Sequence, residues 1–142
     1  MSEICRVYLS GGMSNLTLEE QTKWRDSITN EINYNYDCAK KPVFFNPTSY
    51  YSIFKEYHNN EREAMEYDLY KLRNSDLVIV NFNAPRSIGT AMELMLAKEY
   101  RIPVIAFGIN EQEIHPWLLE CCTRVCDNIR DTITHVVDFY LN

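Results

Sequence analysis

A glutamate one turn inside a predicted helix, Glu93, is the residue of this chain with the clearest chemical potential. The segment from Ser87 to Glu93 follows an apolar strand and opens with serine and glycine, as helix starts often do. Such a start offers unpaired N–H groups and a partial positive charge, which suit a phosphate or a sugar oxygen. Helical rise puts Glu93 about 6 Å further along, and its side chain leans back toward that start. A carboxylate beside an anion site predicts a nucleophile that breaks a bond at a sugar.

Each residue of this segment also has an ordinary structural role as its alternative. The apolar residues of the predicted helix form a core stripe that leaves Glu93 to one side: Ile88, Ala91, Met92, Met95 and Leu96. Glu93 could then be a solvated surface residue. Ser87 could be only an N-cap, and Gly89 could only permit close packing of the helix on the sheet. Arg86 is as well suited to solvent as to a phosphate.

Further candidates stand near the ends of other predicted elements. Tyr8, near the end of the first strand, is either a core aromatic or a hydroxyl aimed into a cleft. Asp68 lies next to an apolar helical stripe, where a carboxylate is seldom placed for packing alone. Because α/β folds bind ligands at the carboxyl ends of their strands, we expect one site to include the residues that end the first two strands. These residues are Ser10, Gly11, Gly12, Met13 and Asn46.

Strands and helices alternate along the chain. Apolar segments predict strands at residues 4–9, 42–45, 77–82, 102–107 and 124–126. Helices are predicted at residues 17–32, 61–74 and 88–100, from Pro116, and across the C-terminal segment; the first has a capping-box pattern at Thr17 and Glu20. Residues 48–60 form a predicted functional loop. This order predicts an α/β fold, a three-layer doubly wound (flavodoxin-like or Rossmann-like) domain around a five-stranded parallel sheet.

The size and charge of the chain exclude several classes of protein. With 142 residues, 46% of them hydrophobic, the chain can form one domain with its own core, and we assign residues 1–142 to that domain. A net charge of −6 argues against broad nucleic-acid binding, which needs a basic surface. No apolar stretch reaches the length of a membrane span and the N-terminus lacks a signal-peptide pattern, so we expect no membrane partner.

Cysteine and histidine usage predicts neither a disulfide framework nor a metal site. The cysteines complete no zinc-site spacing, which favours reduced thiols in a cytoplasmic protein: Cys5, Cys38, Cys121, Cys122 and Cys126. The histidines have no metal-ligand spacing and no obvious serine or cysteine partner: His58, His115 and His135. The run from Ser10 to Gly12 is too short for a dinucleotide fingerprint. We therefore expect carboxylate chemistry that uses no cofactor and no metal.

Three motifs occur in order within residues 4–110: Val7-Tyr8-Leu9-Ser10-Gly11-Gly12-Met13, Asp68-Leu69 with Ser75-Asp76, and Ser87-x-Gly89-Thr90-x-x-Glu93. Together they resemble the nucleoside 2-deoxyribosyltransferase-like family, which includes deoxyribosyltransferases and nucleoside 5′-monophosphate N-glycosidases. The resemblance implies that Glu93 is the nucleophile, that Tyr8 orients it and that Asp68 assists departure of the base. It also implies that residues 10–13 line the sugar pocket. The family forms dimers or larger homo-oligomers in which a neighbour completes the site.

One position in the resemblance bears on the substrate. Family members that act on free nucleosides carry an aspartate six residues before the nucleophile, whereas Ser87 stands there in this chain, as in the monophosphate N-glycosidases. A carboxylate would repel a phosphate, while a serine hydroxyl beside helix-start amides donates to it. Ser87 therefore favours a 5′-monophosphate, and Arg86 could add charge. Gly12 stands where many relatives have proline, and residues 48–60 have no clear match, so the base remains open.

The predicted reaction is cleavage of the N-glycosidic bond of a (deoxy)nucleoside 5′-monophosphate or nucleoside through a glutamyl-glycosyl intermediate, with release of the nucleobase. Transfer of the sugar to another base, the reaction of a nucleoside 2′-deoxyribosyltransferase, is the first alternative. A non-catalytic nucleotide-binding or sensing module is the second. Cleavage of a nicotinamide dinucleotide is the third, and it is disfavoured because no second phosphate or adenine site is evident.

Overall fold

Five parallel strands form the central sheet of the structure, a computed structural model that describes residues 3–13, 15–52, 55–56, 58–110 and 112–142. All strands of the described residues, in chain order, are β1 (Ile4–Gly11), β2 (Lys41–Phe45), β3 (Tyr51–Ser52), β4 (Lys55–Glu56), β5 (Leu77–Asn81), β6 (Val104–Phe107) and β7 (Arg124–Val125). The central sheet has the order β2-β1-β5-β6-β7, and β3 and β4 form a separate antiparallel pair. The predicted fold class, an α/β domain with a five-stranded parallel sheet, is confirmed.

Helices connect the strands and cover both faces of the sheet. They are α1 (Leu18–Asn35), α2 (Glu61–Arg73), α3 (Ile88–Glu99), α4 (Pro116–Glu120) and α5 (Ile129–Val136), followed by a π-helical turn (Val137–Leu141). A 3₁₀ turn (Pro47–Tyr50) and the β3–β4 pair occupy much of the segment predicted as a loop at residues 48–60, of which residues 53, 54 and 57 lie outside the described part of the chain.

Helix starts in this chain are fixed by side chains that accept backbone hydrogen bonds. The predicted capping box of α1 is present, because Thr17 Oγ1 accepts from the Glu20 amide while the Glu20 carboxylate accepts from the Thr17 amide. Ser87 caps α3 in the same way by accepting from the Thr90 amide. These local contacts are the reason that the helix starts could be read from the sequence.

Alternate residues of each strand enter two separate cores. On one face, α1 and α5 pack against strand residues that include Val7 and Leu9 of β1. On the other face, α2 and α3 pack against a set that includes Tyr8 of β1. Because side chains alternate across a strand, Ser10 shares the face of Tyr8. The carboxyl end of β1 thus presents two polar residues toward α2 and α3.

The buried face of α3 differs from the predicted stripe. Thr90, Leu94 and Ala97 are its buried residues, while the predicted core residues Ile88, Met92 and Met95 are 76%, 44% and 49% exposed, and Ala91 and Leu96 are only half-buried. The prediction was wrong because apolar residues occur at helical spacing on more than one side of α3, and the side that faces the sheet carries Thr90 together with Leu94 and Ala97. Glu93 is half-buried next to these residues.

All five cysteines are free thiols. Burial raises the pKa of Cys122 to about 12, so this thiol stays protonated. Among the described residues, no group of three or more His, Cys, Asp or Glu could hold a metal ion. Within the same residues, every helix is too short or too polar to span a bilayer.

Candidate functional site

A cleft of about 920 Å³ opens beside the carboxyl ends of β1 and β5. The strand that follows β1 in the sheet, β2, lies on one side of β1, and β5 lies on the other, so the strand order reverses here. Ligands of open α/β sheets usually bind at such a point. Residues from the loop after β1, from α2, and from the start of α3 line the cleft. Those predicted from the sequence to belong to the site are Gly11, Met13, Asp68, Arg86, Ser87, Gly89 and Glu93.

Two hydroxyl groups of β1 hold the carboxylate of Glu93 at the cleft. Tyr8 Oη donates a hydrogen bond to Oε2, and Ser10 Oγ donates to Oε1 at 3.0 Å. Both donors are fully buried. The carboxylate thus has one hydrogen bond on each oxygen, from two side chains that do not themselves line the cleft. This arrangement fixes the carboxylate plane while leaving the acceptor capacity of each oxygen on the cleft side.

The register of the parallel strands fixes the position of Tyr8, which binds Glu93. In the parallel pairing, Tyr8 lies opposite Phe45 of β2 and Val78 of β5. Its ring stacks on the ring of Phe45 with centroids 5.2 Å apart. Burial and the nearby Glu93 charge raise the pKa of the Tyr8 phenol well above its ordinary value, so the phenol remains a hydrogen-bond donor. Tyr8 is thus a core aromatic whose hydroxyl binds Glu93 and does not itself line the cleft.

The surroundings of Glu93 keep its carboxyl near the midpoint of ionisation at neutral pH. Burial raises the pKa of Glu93 from 4.5 to about 7. The hydrogen bonds from Tyr8 and Ser10 and the positive charge of Arg25 lower it, while the negative charge of Asp68 raises it. A carboxylate that is weakly stabilised in its charged form is more reactive than a solvated one, which suits a nucleophile.

Asp68 lines the same cleft from α2. Its charge acts on both Tyr8 and Glu93, which places the two carboxyl groups in one electrostatic environment. Enzymes that cleave glycosidic bonds usually use two carboxyl groups in one cleft, because one attacks or stabilises the sugar while the other transfers a proton.

The start of α3 forms the other end of the cleft. Ser87 Oγ accepts a hydrogen bond from the Thr90 amide at 3.2 Å, which leaves the Ser87 hydroxyl hydrogen to donate elsewhere. Arg86 is exposed and also lines the cleft. A Cβ added at Gly89 would meet only Ser87 Oγ, at 3.9 Å. Gly89 is therefore not required for close helix–sheet packing, the structural alternative considered for it.

Four predicted site residues do not line the cleft: Tyr8 and Ser10, which bind Glu93, and Gly12 and Asn46, which make other contacts. Asn46 is not among the residues that line the cleft, because its Oδ1 accepts from the amide and the hydroxyl of Thr48 at 3.0 and 2.5 Å and so shapes the turn after β2. Gly12 also lies off the lining, and its amide donates to Asn83 Oδ1 at 2.9 Å. A Cβ at Gly12 would lie 2.3 Å from Cβ of Ala84, so glycine permits this contact between loops.

Arg25 is the main residue of the site that the sequence analysis missed. It lines the cleft from α1, yet its side chain is completely buried. A signal for it was present, because Arg25 precedes Ile28 by three residues and therefore falls on the inner face of α1 beside Trp24, Ile28 and Ile32. Further lining residues that were not predicted are Gln21, Pro47, Glu61, Met65, Thr90 and Met92.

Comparison with known proteins identifies the fold. No protein-family model matches the sequence, and no curated protein matches it. Among solved structures, a conserved protein from Enterococcus faecalis V583 is similar with a TM-score of 0.70 and 16% identity over 94% of this chain and 97% of that chain. A 2-deoxyribosyltransferase from Bacillus psychrosaccharolyticus is similar with a TM-score of 0.67 and 15% identity over 91% of this chain and 90% of that chain. The chain therefore has the fold of a 2-deoxyribosyltransferase.

Proposed function

We propose that this protein is an enzyme that cleaves the N-glycosidic bond of a nucleoside 5′-monophosphate or nucleoside, with Glu93 as the nucleophile. The observation that carries the proposal is the position of the Glu93 carboxylate, held by Tyr8 and Ser10 at a cleft that also contains Asp68. The fold shared with a 2-deoxyribosyltransferase supports the same chemistry.

The proposed reaction begins with attack of an ionised Glu93 oxygen on the anomeric carbon. The bond from that carbon to the base nitrogen breaks, its electron pair leaves with the base, and Asp68 supplies the proton that the base takes up. Positive charge develops on the sugar in the transition state, and the carboxylates of the cleft stabilise it. The product of this step is a glycosyl ester of Glu93.

Water completes the proposed reaction. A water molecule attacks the anomeric carbon from the cleft, loses its proton to Asp68 and releases Glu93 as a carboxylate. The hydrogen bonds from Tyr8 and Ser10 assist this second step, because they stabilise the negative charge that returns to the leaving carboxylate. The sugar, or sugar phosphate, then leaves with the anomeric configuration of the substrate.

A phosphate on the substrate would lie at the start of α3. Ser87 can donate its hydroxyl hydrogen there, the first helical amides are available, and Arg86 adds a positive charge at the cleft. These features favour a 5′-monophosphate over a free nucleoside.

Transfer of the sugar to a second base is the alternative favoured by the solved 2-deoxyribosyltransferase. It shares the first step and differs only in whether water or another base accepts the sugar. A non-catalytic nucleotide-binding role is less consistent with the site, since a binding protein gains nothing from a half-buried carboxylate whose pKa is raised to about 7.

A second copy of this chain is the proposed partner at the cleft rim. Met65, Ile88 and Met92 line the cleft while remaining 43%, 76% and 44% exposed. Exposed apolar side chains at the rim of a cleft are typical of a surface that another protein covers. Light scattering coupled to size-exclusion chromatography tests this assembly, and a monomer at micromolar concentration would contradict it.

The five free thiols are the basis for a proposed cytoplasmic location, because an oxidising compartment would favour their pairing or modification. Immunofluorescence or cell fractionation with the native chain tests this assignment, and recovery of the protein from an oxidising compartment would contradict it.

Incubation with a panel of nucleosides, 5′-monophosphates and NAD, followed by chromatography of the free base, tests the proposed activity. We expect base release from monophosphates, slower release from nucleosides, and none from NAD. Adding a second base to the same reaction distinguishes transfer from hydrolysis, because transfer produces a new nucleoside or nucleotide. Tight binding of nucleotides without release of any base would support the binding role instead.

A further inference from the structure

We infer that Arg25 is a positioning residue of this site: it holds the carboxyl end of β1 and places a positive charge near Glu93 without pairing with it. The inference rests on the proposed role of Glu93. It concerns a residue on α1, across the sheet from α3, and depends on the contacts of its guanidinium group rather than on any motif.

Within the described part of the chain, the hydrogen-bond partners of the Arg25 guanidinium are all backbone oxygens. Nε donates to the Leu9 carbonyl at 3.2 Å, Nη2 donates to the Gly11 carbonyl at 3.3 Å, and Nη1 donates to the Gln21 carbonyl at 2.6 Å. The group also lies 4.6 Å from the centroid of the Trp24 ring. Among the described residues, Arg25 forms no ion pair with a carboxylate. A completely buried charge without a carboxylate partner is unusual and calls for a specific reason.

The first consequence is mechanical. Leu9 and Gly11 flank Ser10, whose hydroxyl donates to Glu93 at 3.0 Å. Two donors of one rigid guanidinium therefore fix the backbone on both sides of the residue that orients the carboxylate. Close packing supports this contact, since a Cβ at Gly11 would lie 2.8 Å from Cζ2 of Trp24 and 3.4 Å from Nη2 of Arg25.

The second consequence is electrostatic. Three charged or ionisable groups act on Glu93 from the elements around it, namely Tyr8 on β1, Arg25 on α1 and Asp68 on α2, while Arg86 and Glu61 line the cleft further out. Burial of Arg25 lowers its pKa to about 10, which still leaves it charged at neutral pH. This positive charge lowers the pKa of Glu93, whereas burial and the negative charge of Asp68 both raise it.

The lack of a direct ion pair preserves the function of the nucleophile. A guanidinium bound to Glu93 would occupy the oxygens that must attack the sugar and would make them less nucleophilic. Each nitrogen of the Arg25 guanidinium instead donates to a backbone carbonyl, so that its charge acts on Glu93 through space without occupying the carboxylate oxygens. Arginine suits this role better than lysine, since its planar fork satisfies three carbonyls at once.

The experiment compares Arg25→Met, Arg25→Lys and Lys23→Met with the unchanged protein. Lys23→Met is the matched control, because it removes one positive charge from the same helix at a side chain that is 80% exposed. The pKa of Glu93 is measured by ¹³C NMR of glutamate carboxyls, with the signal assigned from its loss in Glu93→Gln. The pH dependences of kcat and of kcat/KM for base release are measured in parallel.

We expect Arg25→Met to raise the pKa of Glu93 by about 1 or more, with an equal shift of the acidic limb of kcat/KM, because a nearby opposite charge is lost. Arg25→Lys retains the charge and should leave that limb in place, but its plateau kcat should fall about 10- to 100-fold because Ser10 is less well held. Lys23→Met should change neither quantity.

A folded Arg25→Met protein with an unchanged Glu93 pKa overturns the electrostatic part of the inference, and Arg25→Lys with unchanged kcat overturns the mechanical part. If Arg25→Met does not fold, Arg25→Lys still decides, because a shifted acidic limb or an unchanged plateau in that variant contradicts the inference. The NMR measurement needs no turnover. A protein that releases no base from any substrate therefore refutes the proposed function, while the effect of Arg25 on Glu93 is still measured.

Discussion

The hydroxyl of Ser10 lies 3.0 Å from Oε1 of Glu93, although 83 residues separate the two along the chain. The contact exists because β1 and β5 are neighbours in the sheet and α3 begins just after β5. Ser10 and Tyr8, on one face of β1, thus support the carboxylate of Glu93 on α3 through hydrogen bonds. The chemistry proposed for the protein depends on this support.

Replacement of the nucleophile should abolish the reaction. In Glu93→Ala, the rate of base release should fall by about 10³-fold or more, the scale expected when a covalent nucleophile is lost. Chromatography of free base from deoxynucleoside monophosphates measures the effect. Glu99→Ala is the control, because Glu99 lies exposed at the end of the same helix. Activity retained in Glu93→Ala would refute the assignment of the nucleophile.

The same residue should make the protein less stable at high pH. Because the pKa of Glu93 in the folded state, about 7, lies above its ordinary value of 4.5, the folded state holds the proton more tightly than the unfolded state. The free energy of unfolding therefore decreases as the pH rises from 4.5 through about 7. Glu93→Gln removes this dependence and should stabilise the protein by about 1–3 kcal/mol at pH 8 relative to its effect at pH 4.5. Urea unfolding at both pH values measures the difference, and equal effects at both would contradict it.

Tyr8→Phe should shift the pH dependence of activity. The proposed attack needs ionised Glu93, so the acidic limb of kcat/KM should rise with pH up to about 7. Removing the phenol hydroxyl removes a hydrogen bond that lowers the pKa of Glu93, so the rise should move to higher pH. The Tyr8 ring, which stacks on Phe45, is retained in this variant. Tyr34→Phe, on the exposed face of α1, is the control, and identical profiles for the two variants would exclude this role of Tyr8.

Ser87→Asp should reverse the preference for a phosphate. An aspartate there can still cap α3 by accepting from the Thr90 amide, but its charge repels a phosphate. We expect kcat/KM for a monophosphate to fall about 10-fold or more, and kcat/KM for the matching nucleoside to change little. Steady-state kinetics on both substrates measure the ratio. Equal losses on both substrates would remove the argument for a phosphate at this position.

Gly12 and Gly89 should respond in opposite ways to alanine. At Gly12 the added Cβ would lie 2.3 Å from Cβ of Ala84, and the resulting shift should cost about 1–3 kcal/mol of unfolding free energy. At Gly89 the Cβ would make only an ordinary contact with Ser87 Oγ at 3.9 Å, so Gly89→Ala should stabilise the protein by about 0.4–1 kcal/mol. Urea unfolding of both variants measures these effects, and destabilisation by Gly89→Ala would contradict the open position.

Features determined by short stretches of sequence were predicted well. The five strands follow from apolar runs, and the α1 and α3 starts follow from Thr17 and Ser87, whose caps involve residues only three positions away. The inner face of α3 was missed, because the helix sequence alone does not distinguish the buried Thr90 and Leu94 from the exposed Met92. Arg25 was missed although its spacing from Ile28 placed it on the inner face of α1, because its partners are backbone carbonyl groups, which have no signature in a sequence.

The hydrogen bond from the Gly12 amide to Asn83 joins the loop after β1 to the loop after β5. A proline has no amide hydrogen, so a chain with proline at this position must connect the two loops by another contact. Residues 12 and 83 should consequently be inherited as a matched pair. A mutation at either residue would therefore also displace the loop that carries the other one. Transplanting one of these loops from a related protein should succeed only when the other loop is transplanted with it.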